Sequence, residues 1–139
     1  MGEVRQKIKL VNITQVYAQK EEVFNPEQLE YIEVDALVDT GCTMLVLPQD
    51  IVDALKLKKI RKTVVTYADE RKEERDVYAG VFLNIDQRTG NFDCIAGPPL
   101  SEPLLGQIIL EELDLIVDLK ERKLMPRPES PFLPLLKMK

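Results

Sequence analysis

Histidine is missing from this 139-residue chain, and cysteine occurs only twice. Without histidine, the chain cannot form a Ser-His or Cys-His nucleophilic pair or a His-liganded metal site. Cys42 and Cys94 are too few for a four-thiolate zinc site, and a buried thiol most often acts as a small apolar side chain. A redox role for Cys42 is the open alternative, because Cys42 adjoins a turn at Asp39. No phosphate-cradling glycine-rich loop is present, so the sequence predicts neither a metal nor a cofactor.

Basic residues are also in the minority. The chain has 19 Lys plus Arg against 24 Asp plus Glu, which gives a formal net charge of −5. This balance argues against nucleic acid as the main partner, since nucleic-acid binding usually needs a basic face. No apolar run approaches the roughly 20 residues of a membrane span, and no apolar signal core follows the first residues, 1–7. We therefore expect a cytoplasmic protein that binds neither nucleic acid nor membrane.

Short β-prone segments dominate the chain, and 45% hydrophobic residues are enough for one packed core. Strands are predicted over residues 4–13, 31–38, 63–67, 77–85 and 92–96, with two more within 115–125. Short helices are predicted after Pro48 and over residues 107–113, and a turn is predicted over residues 88–91. The pattern indicates a mainly β domain over residues 1–125 and a proline-rich C-terminal tail over residues 126–139.

One aspartate follows a predicted strand directly. Residues 36–43 read ALVDTGCT, in which Asp39 opens a tight turn with Thr40 and Gly41. The apolar run LVLP follows at residues 45–48, so we expect the carboxylate at the mouth of a loop with dry walls, where it is poised for acid/base chemistry. Asp-Thr-Gly is also a common turn tripeptide, because Asp and Thr bond their own backbone and Gly accepts positive φ. Taken alone, the motif favours this plain turn.

A second motif favours a functional site over a plain turn at Asp39. Leu-Leu-Gly at residues 104–106 stands just before a short amphipathic segment and a strand-like run at 115–119. The glycine permits close backbone approach, and the helix can then pack on the core. Together with the Asp39 turn, this combination resembles the retropepsin-type aspartic proteases, most closely their small bacterial and archaeal members. The resemblance covers most of residues 4–125 and implies a closed, barrel-like retropepsin or acid-protease fold with one or two short helices.

The resemblance implies a role for each matching residue. Asp39 is the catalytic carboxylate, and Thr40 crosses to a partner loop. Gly41 gives a backbone amide near the carboxylate and leaves room for substrate. Thr43 bonds the outer carboxylate oxygen, and Gly106 supports the active-site loop from beneath.

A single Asp-Thr-Gly supplies one carboxylate, whereas aspartic protease chemistry needs two that share a proton. The resemblance therefore implies a homodimeric aspartic endopeptidase in which two Asp39 carboxylates, one per subunit, activate a water against a peptide bond. Its partners are a peptide or protein substrate and a second copy of the chain. The alternative is a catalytically silent retropepsin-fold module for peptide binding or dimerisation. Phosphoryl transfer through an aspartyl phosphate is rejected, because no Lys stands between Asp39 and Thr40 and no acidic metal cluster follows a strand.

A charged run at residues 68–76 predicts the polar tip of a long hairpin. In the family this hairpin is a flap that folds over substrate and excludes water. The tentative flap residues are Tyr67, Ala68, Asp69 and Glu70. Retroviral flaps are rich in glycine, whereas this run has no glycine before Gly80. A solvated hairpin without a gating role is therefore an equal alternative.

The apolar segment PFLPLL at residues 131–136 also leaves two interpretations open. It is either a frayed tail or an apolar strip packed on the core or on a partner. A bolder hypothesis places this extended segment in the substrate groove as a self-inhibitor.

Overall fold

The structure is a computed structural model that describes residues 2–138. Met1, the first residue of the predicted domain, and Lys139, the last residue of the predicted tail, lie outside the described residues. The described part is mainly β, with nine strands, three short α-helices and a 3-10 turn at Pro26–Gln28. The strands are β1 (Arg5–Asn12), β2 (Ile32–Val38), β3 (Leu45–Pro48), β4 (Lys58–Thr66), β5 (Lys72–Ile85), β6 (Arg88–Gly97), β7 (Leu104–Leu105), β8 (Leu115–Asp118) and β9 (Lys123–Pro126). The helices are α1 (Thr14–Tyr17), α2 (Gln49–Ala54) and α3 (Gln107–Leu113).

Six strands close into a barrel in the order β1, β2, β7, β3, β6 and β5, and β5 pairs back with β1. In the closing pair, residues 9–12 lie antiparallel to residues 81–84. Strand β4 pairs with β5 outside this ring, and β8 and β9 form a separate two-stranded sheet. The prediction of a mainly β, closed barrel is confirmed, and α1 adds a third short helix to the one or two expected. Among residues 2–138, no helix is long and apolar enough to cross a membrane.

The core consists of side chains that alternate inward along the strands. In β1, Ile8 and Leu10 are fully buried while Lys9 between them is exposed, as the two-residue period of a strand requires. The other large side chains buried to this degree are Leu45, Leu47, Val52, Val77, Val81, Leu83, Ile85, Leu105, Ile109 and Leu113. Each such burial stabilises the fold by about 1.5–3 kcal/mol relative to exposure. Leu105 is important for the site, because its strand lies between β2 and β3.

The charged run is mostly strand. Strand β5 begins at Lys72, so the hairpin tip contains only residues 67–71 and the predicted tip at 68–76 was too long. Along β5, Glu73 and Arg75 are half-buried and Val77 is buried, whereas Glu74 is exposed. This alternation places one row of charged side chains on the inner face of the hairpin.

The turn predicted at residues 88–91 is wrong, because β6 begins at Arg88 and residues 88–91 pair with β5. The chain turns instead at Asp86 and Gln87, which have φ of 46° and 74°. A two-residue hairpin turn of this kind usually contains glycine, and here neither position has it. The Gln87 N–H donates to the Asn84 side-chain oxygen at 2.9 Å, which holds the turn without a glycine.

The C-terminal segment is attached to the domain through Asp114, a buried residue that ends α3 with φ of 58°. Its carboxylate accepts hydrogen bonds from Arg127, from the Ser130 hydroxyl and, at 2.8 Å, from the Leu135 N–H. These bonds, first that of Arg127, hold the pKa of Asp114 well below its usual range. The buried Arg88 guanidinium donates to the Asp114 carbonyl at 3.0 Å and to the Ser130 carbonyl. The division of the chain at residue 125 stays a prediction. These hydrogen bonds attach the predicted tail to the residue that ends α3.

Candidate active site

Asp39 lies in the turn that follows β2. Its N–H donates to the Leu105 carbonyl at 2.9 Å, which extends the pairing of β2 with β7 by one residue. Its side-chain Oδ1 accepts a hydrogen bond from the Gly41 N–H at 3.0 Å, and its carbonyl accepts one from the Cys42 N–H at 3.1 Å. Backbone bonds on both sides therefore hold the carboxylate in place relative to the barrel.

Gly106 lies directly beneath this turn. The N–H of Gln107 donates to the Cys42 carbonyl at 2.7 Å, and the N–H of the residue after it donates to the Thr43 carbonyl at 3.0 Å. A Cβ at position 106 would lie 2.6 Å from the Thr43 carbonyl carbon and 2.7 Å from the Cys42 oxygen. With φ of −86°, the backbone conformation itself suits any residue. Glycine is required here because two backbone segments touch.

A cleft of about 740 Å³ opens beside Asp39. Its apolar lining comes from Val46, Val65, Ile95, Ala96, Pro98 and Leu104. Its polar lining includes Asp39, Gly41 and Thr66. A concave, mostly apolar site with a few polar groups is typical of ligand-binding pockets of this size.

The hairpin of β4 and β5 reaches the cleft at its tip. Tyr67 and Ala68 line the cleft, whereas Asp69 and Glu70 do not. The tip is closed by the Tyr67 N–H, which donates to the Arg71 carbonyl at 2.9 Å, and by the Arg71 N–H, which donates to Asp69 Oδ1 at 3.0 Å. Glu70 takes the left-handed conformation with φ of 68°, and the Arg71 guanidinium stacks over the Tyr67 ring at 4.5 Å. The structure thus builds a hydrogen-bonded tip without glycine and brings two of the four tentative flap residues to the cleft.

A sequence model of the aspartyl protease family matches residues 28–108, which is more than half of the chain. The chain belongs to the aspartyl protease family. The matched residues run from before β2 to the start of α3, so they include the Asp39 turn, the hairpin and Gly106. The predicted resemblance is confirmed at the level of the family. No curated protein is similar enough to this chain to add a second comparison.

In this aspartyl protease family member, two of the predicted site residues are threonines that lie outside the lining of the cleft. Thr40 and Thr43 are exposed and do not line the cleft. Within the part of the chain that the structure describes, neither hydroxyl makes a hydrogen bond. The roles assigned to Thr40, Thr43 and Gly41, and the catalytic role of Asp39, stay predictions.

The two cysteines differ in their surroundings. Burial raises the pKa of the Cys94 thiol to about 12. Burial also raises the pKa of Cys42, and the negative charge of Asp39 acts in the same direction. A redox role needs an accessible thiolate. The raised pKa disfavours the thiolate at both positions, but only Cys94 is also inaccessible, because Cys42 is half-buried and lines the cleft. Among residues 2–138, no three acidic or cysteine side chains are grouped so that they could hold a metal ion.

Sequence reasoning missed two charged residues of the cleft, Arg75 and Glu102. Glu102 forms an ion pair with Arg5, a residue far away in the sequence. Arg75 forms an ion pair with Glu73 at 2.9 Å. The alternation of Glu73, Arg75 and Val77 is a signal that could have placed Arg75 on the inner face of the hairpin. No local signal marks Glu102, which lies in the loop before β7.

Proposed function

We propose that this protein is an aspartic endopeptidase with Asp39 as its catalytic carboxylate. The observation that carries the proposal is the position of Asp39, which is held by backbone bonds and lines a largely apolar cleft of about 740 Å³. Membership of the aspartyl protease family supports peptide-bond hydrolysis as the reaction. The apolar wall suits the side chains of an extended peptide or an unfolded segment of a protein.

The proposed enzyme is a homodimer, because one chain contributes one suitable carboxylate. The other acidic residue in the cleft lining is Glu102, and its charge is balanced by Arg5. The reaction uses two carboxyl groups about 3 Å apart, which cannot both ionise and therefore share one proton. A two-fold axis beside the turn brings Asp39 together with its copy. Thr40 and Ile108, both exposed beside the turn, support this contact surface.

In this mechanism, one Asp39 carboxylate accepts a proton from water while its copy donates a proton to the peptide carbonyl. The Gly41 N–H, which already donates to Oδ1, keeps the carboxyl group oriented. The hairpin tip with Tyr67 and Ala68 lies over the substrate and lowers its exposure to water.

Three proteins test the role of Asp39: the wild type, Asp39→Asn and a control, Asp35→Asn. Asp35 lies on the same strand, β2, is exposed and does not line the cleft. Each protein is incubated with a mixed peptide pool between mildly acidic and neutral pH, and the products are identified by mass spectrometry. We expect the wild type and Asp35→Asn to cleave and Asp39→Asn to be inactive. Equal cleavage by Asp39→Asn and the wild type refutes the proposed catalytic role.

Sedimentation tests the dimer separately. We expect the wild type to sediment as a dimer at micromolar concentration with substrate present. Ile108→Glu adds a charge to a side chain that is 46% exposed beside the turn, and we expect it to yield a folded, inactive monomer. A wild-type protein that cleaves peptides while sedimenting as a strict monomer contradicts the proposed two-chain site.

A peptide-binding module without catalysis is the second candidate, favoured by the hydrogen-bonded, glycine-free hairpin tip. It predicts folded dimers of both the wild type and Asp39→Asn that bind peptides equally well and cleave none. For either function we infer a reducing, cytoplasmic setting and no nucleic-acid partner. The free thiols of Cys42 and Cys94 support the setting, and the net charge of −5 supports the absence of a nucleic-acid partner.

A further inference from the structure

Arg75 is the only cationic side chain lining the cleft among residues 2–138. It lies on β5 opposite Thr63 of β4, on the inner face of the hairpin. Its side chain is 22% exposed, so the side chain is largely removed from water but still reachable. A partly desolvated arginine interacts more strongly with a carboxylate than a fully exposed one does.

The guanidinium is held in position from one side. Its Nη2 lies 2.9 Å from Glu73 Oε1, and the other Glu73 oxygen accepts a hydrogen bond from the Tyr67 hydroxyl at 3.2 Å. Glu73 does not line the cleft, whereas Arg75 does. An arginine has five N–H donors, so one contact to Glu73 leaves donors for a ligand in the cleft.

The acidic residues of the cleft do not occupy these donors. Glu102 is paired with Arg5, which also contacts Asp35 at 3.4 Å. Asp39 Oδ1 is engaged by the Gly41 N–H. Among residues 2–138, the one ion-pair partner of Arg75 is Glu73.

We propose that Arg75 binds a carboxylate of the peptide substrate, so that the cleft selects peptides that combine apolar side chains with one carboxylate. This inference rests on the proposed peptidase function and names the substrate class of that same site. The carboxylate belongs to an acidic side chain or to the peptide C-terminus, and both make the same charge-assisted hydrogen bonds to a guanidinium.

The test compares sets of peptides that differ only by Glu, Gln or Lys at one position, scanned on both sides of a cleaved bond. The readout is kcat/KM near neutral pH at fixed ionic strength. We expect the wild type to prefer Glu at one position by about tenfold, the size of one charge-assisted hydrogen bond at a partly exposed site. Arg75→Gln removes the preference, and Arg75→Glu shifts it toward Lys.

Lys72→Gln is the matched control, because it removes one positive charge from the same hairpin at an exposed residue outside the cleft lining. We expect it to keep the wild-type preference. Thermal melting verifies that each variant is folded, and Arg75→Gln alone decides the test if Arg75→Glu does not fold. Amidated and free-acid peptides are compared as well. A preference retained with amidated peptides assigns the carboxylate to a side chain, and one seen only with free acids assigns it to the C-terminus.

Binding of the same peptides to Asp39→Asn, followed by fluorescence anisotropy, separates this inference from the proposed function. Acid-selective binding without cleavage by the wild type supports the role of Arg75 and refutes the peptidase. Cleavage with equal kcat/KM for Glu and Gln at every position overturns the role of Arg75 alone. Loss of the preference in Lys72→Gln to the same extent as in Arg75→Gln also overturns it, since the effect then comes from overall charge.

Discussion

Replacing Gly106 with alanine tests whether the candidate site depends on the close contact beneath its turn. The added Cβ would lie 2.6 Å and 2.7 Å from backbone atoms of Thr43 and Cys42, whereas ordinary contact begins at 3.4 Å. The Met44 carbonyl oxygen would be closer still, so the loop must move by more than about 0.8 Å. Backbone cannot rotate away as a side-chain end does, so the movement strains the loop and loosens its bonds to the start of α3.

The expected loss in the free energy of unfolding has two contributions. Overpacking of a tight site costs about 1–3 kcal/mol. The N–H groups of Gln107 and Ile108 donate to this loop at 2.7 Å and 3.0 Å, and weakening these bonds costs about 1 kcal/mol more. We expect a total loss of about 2–4 kcal/mol, which lowers the melting temperature by roughly 10 °C for a domain of this size.

Urea denaturation followed by circular dichroism measures the loss of free energy of unfolding. Gly97→Ala is the control, because its Cβ would meet the Ser101 hydroxyl at 2.9 Å, the end of a side chain that can rotate. We expect the control to change the free energy of unfolding by less than about 1 kcal/mol. A Gly106→Ala variant as stable as the control refutes the reasoning, because the contact beneath the Asp39 turn is then not tight.

Two further predictions concern titratable groups. The folded-state pKa of Asp114 is depressed by Arg127 and Ser130. Its contribution to stability is therefore complete above its unfolded-state pKa of about 3.9 and is lost as pH falls through the folded-state value. The stability difference between the wild type and Asp114→Asn should shrink from pH 5 to pH 2 in thermal melts, and a constant difference contradicts the account. Burial raises the pKa of Cys94 to about 12, so iodoacetamide at pH 8 should leave this thiol unmodified in the native protein and alkylate it in urea. Mass spectrometry measures the modification. Fast labelling of Cys94 in the native protein contradicts its burial.

The elements around the candidate site were predictable because their signals are local. The alternation before Asp39 predicts β2, and apolar residues on both sides of a tight turn place the carboxylate beside dry walls. Gly106 before an amphipathic run predicts both a close approach and α3. These signals each lie within about ten residues, where strand period, helix period and turn chemistry operate.

Other features were missed because the local signal was weak or misleading. The turn at Asp86 and Gln87 has no glycine and is held by the Asn84 side chain, whereas the glycine at position 90 lies within a strand. The charged residues after Arg71 read as a solvated tip, although they pair with β4 along their length. In both places strand pairing overrides the local preference.

The sequence by itself determined the β class of the domain and the turn that carries Asp39, because each depends on backbone preferences over a few neighbouring residues. It marked Gly106 as a place of close approach, but only the tertiary structure showed that the segment in contact is the loop at residues 42–44. Only the tertiary structure decided which distant charged side chains come into contact. Arg5 and Glu102 are 97 residues apart, and the Asp114 carboxylate collects donors from a segment that follows two intervening strands. Such pairs form only when the folded chain brings distant segments together, so no pattern in the neighbouring residues foretells them.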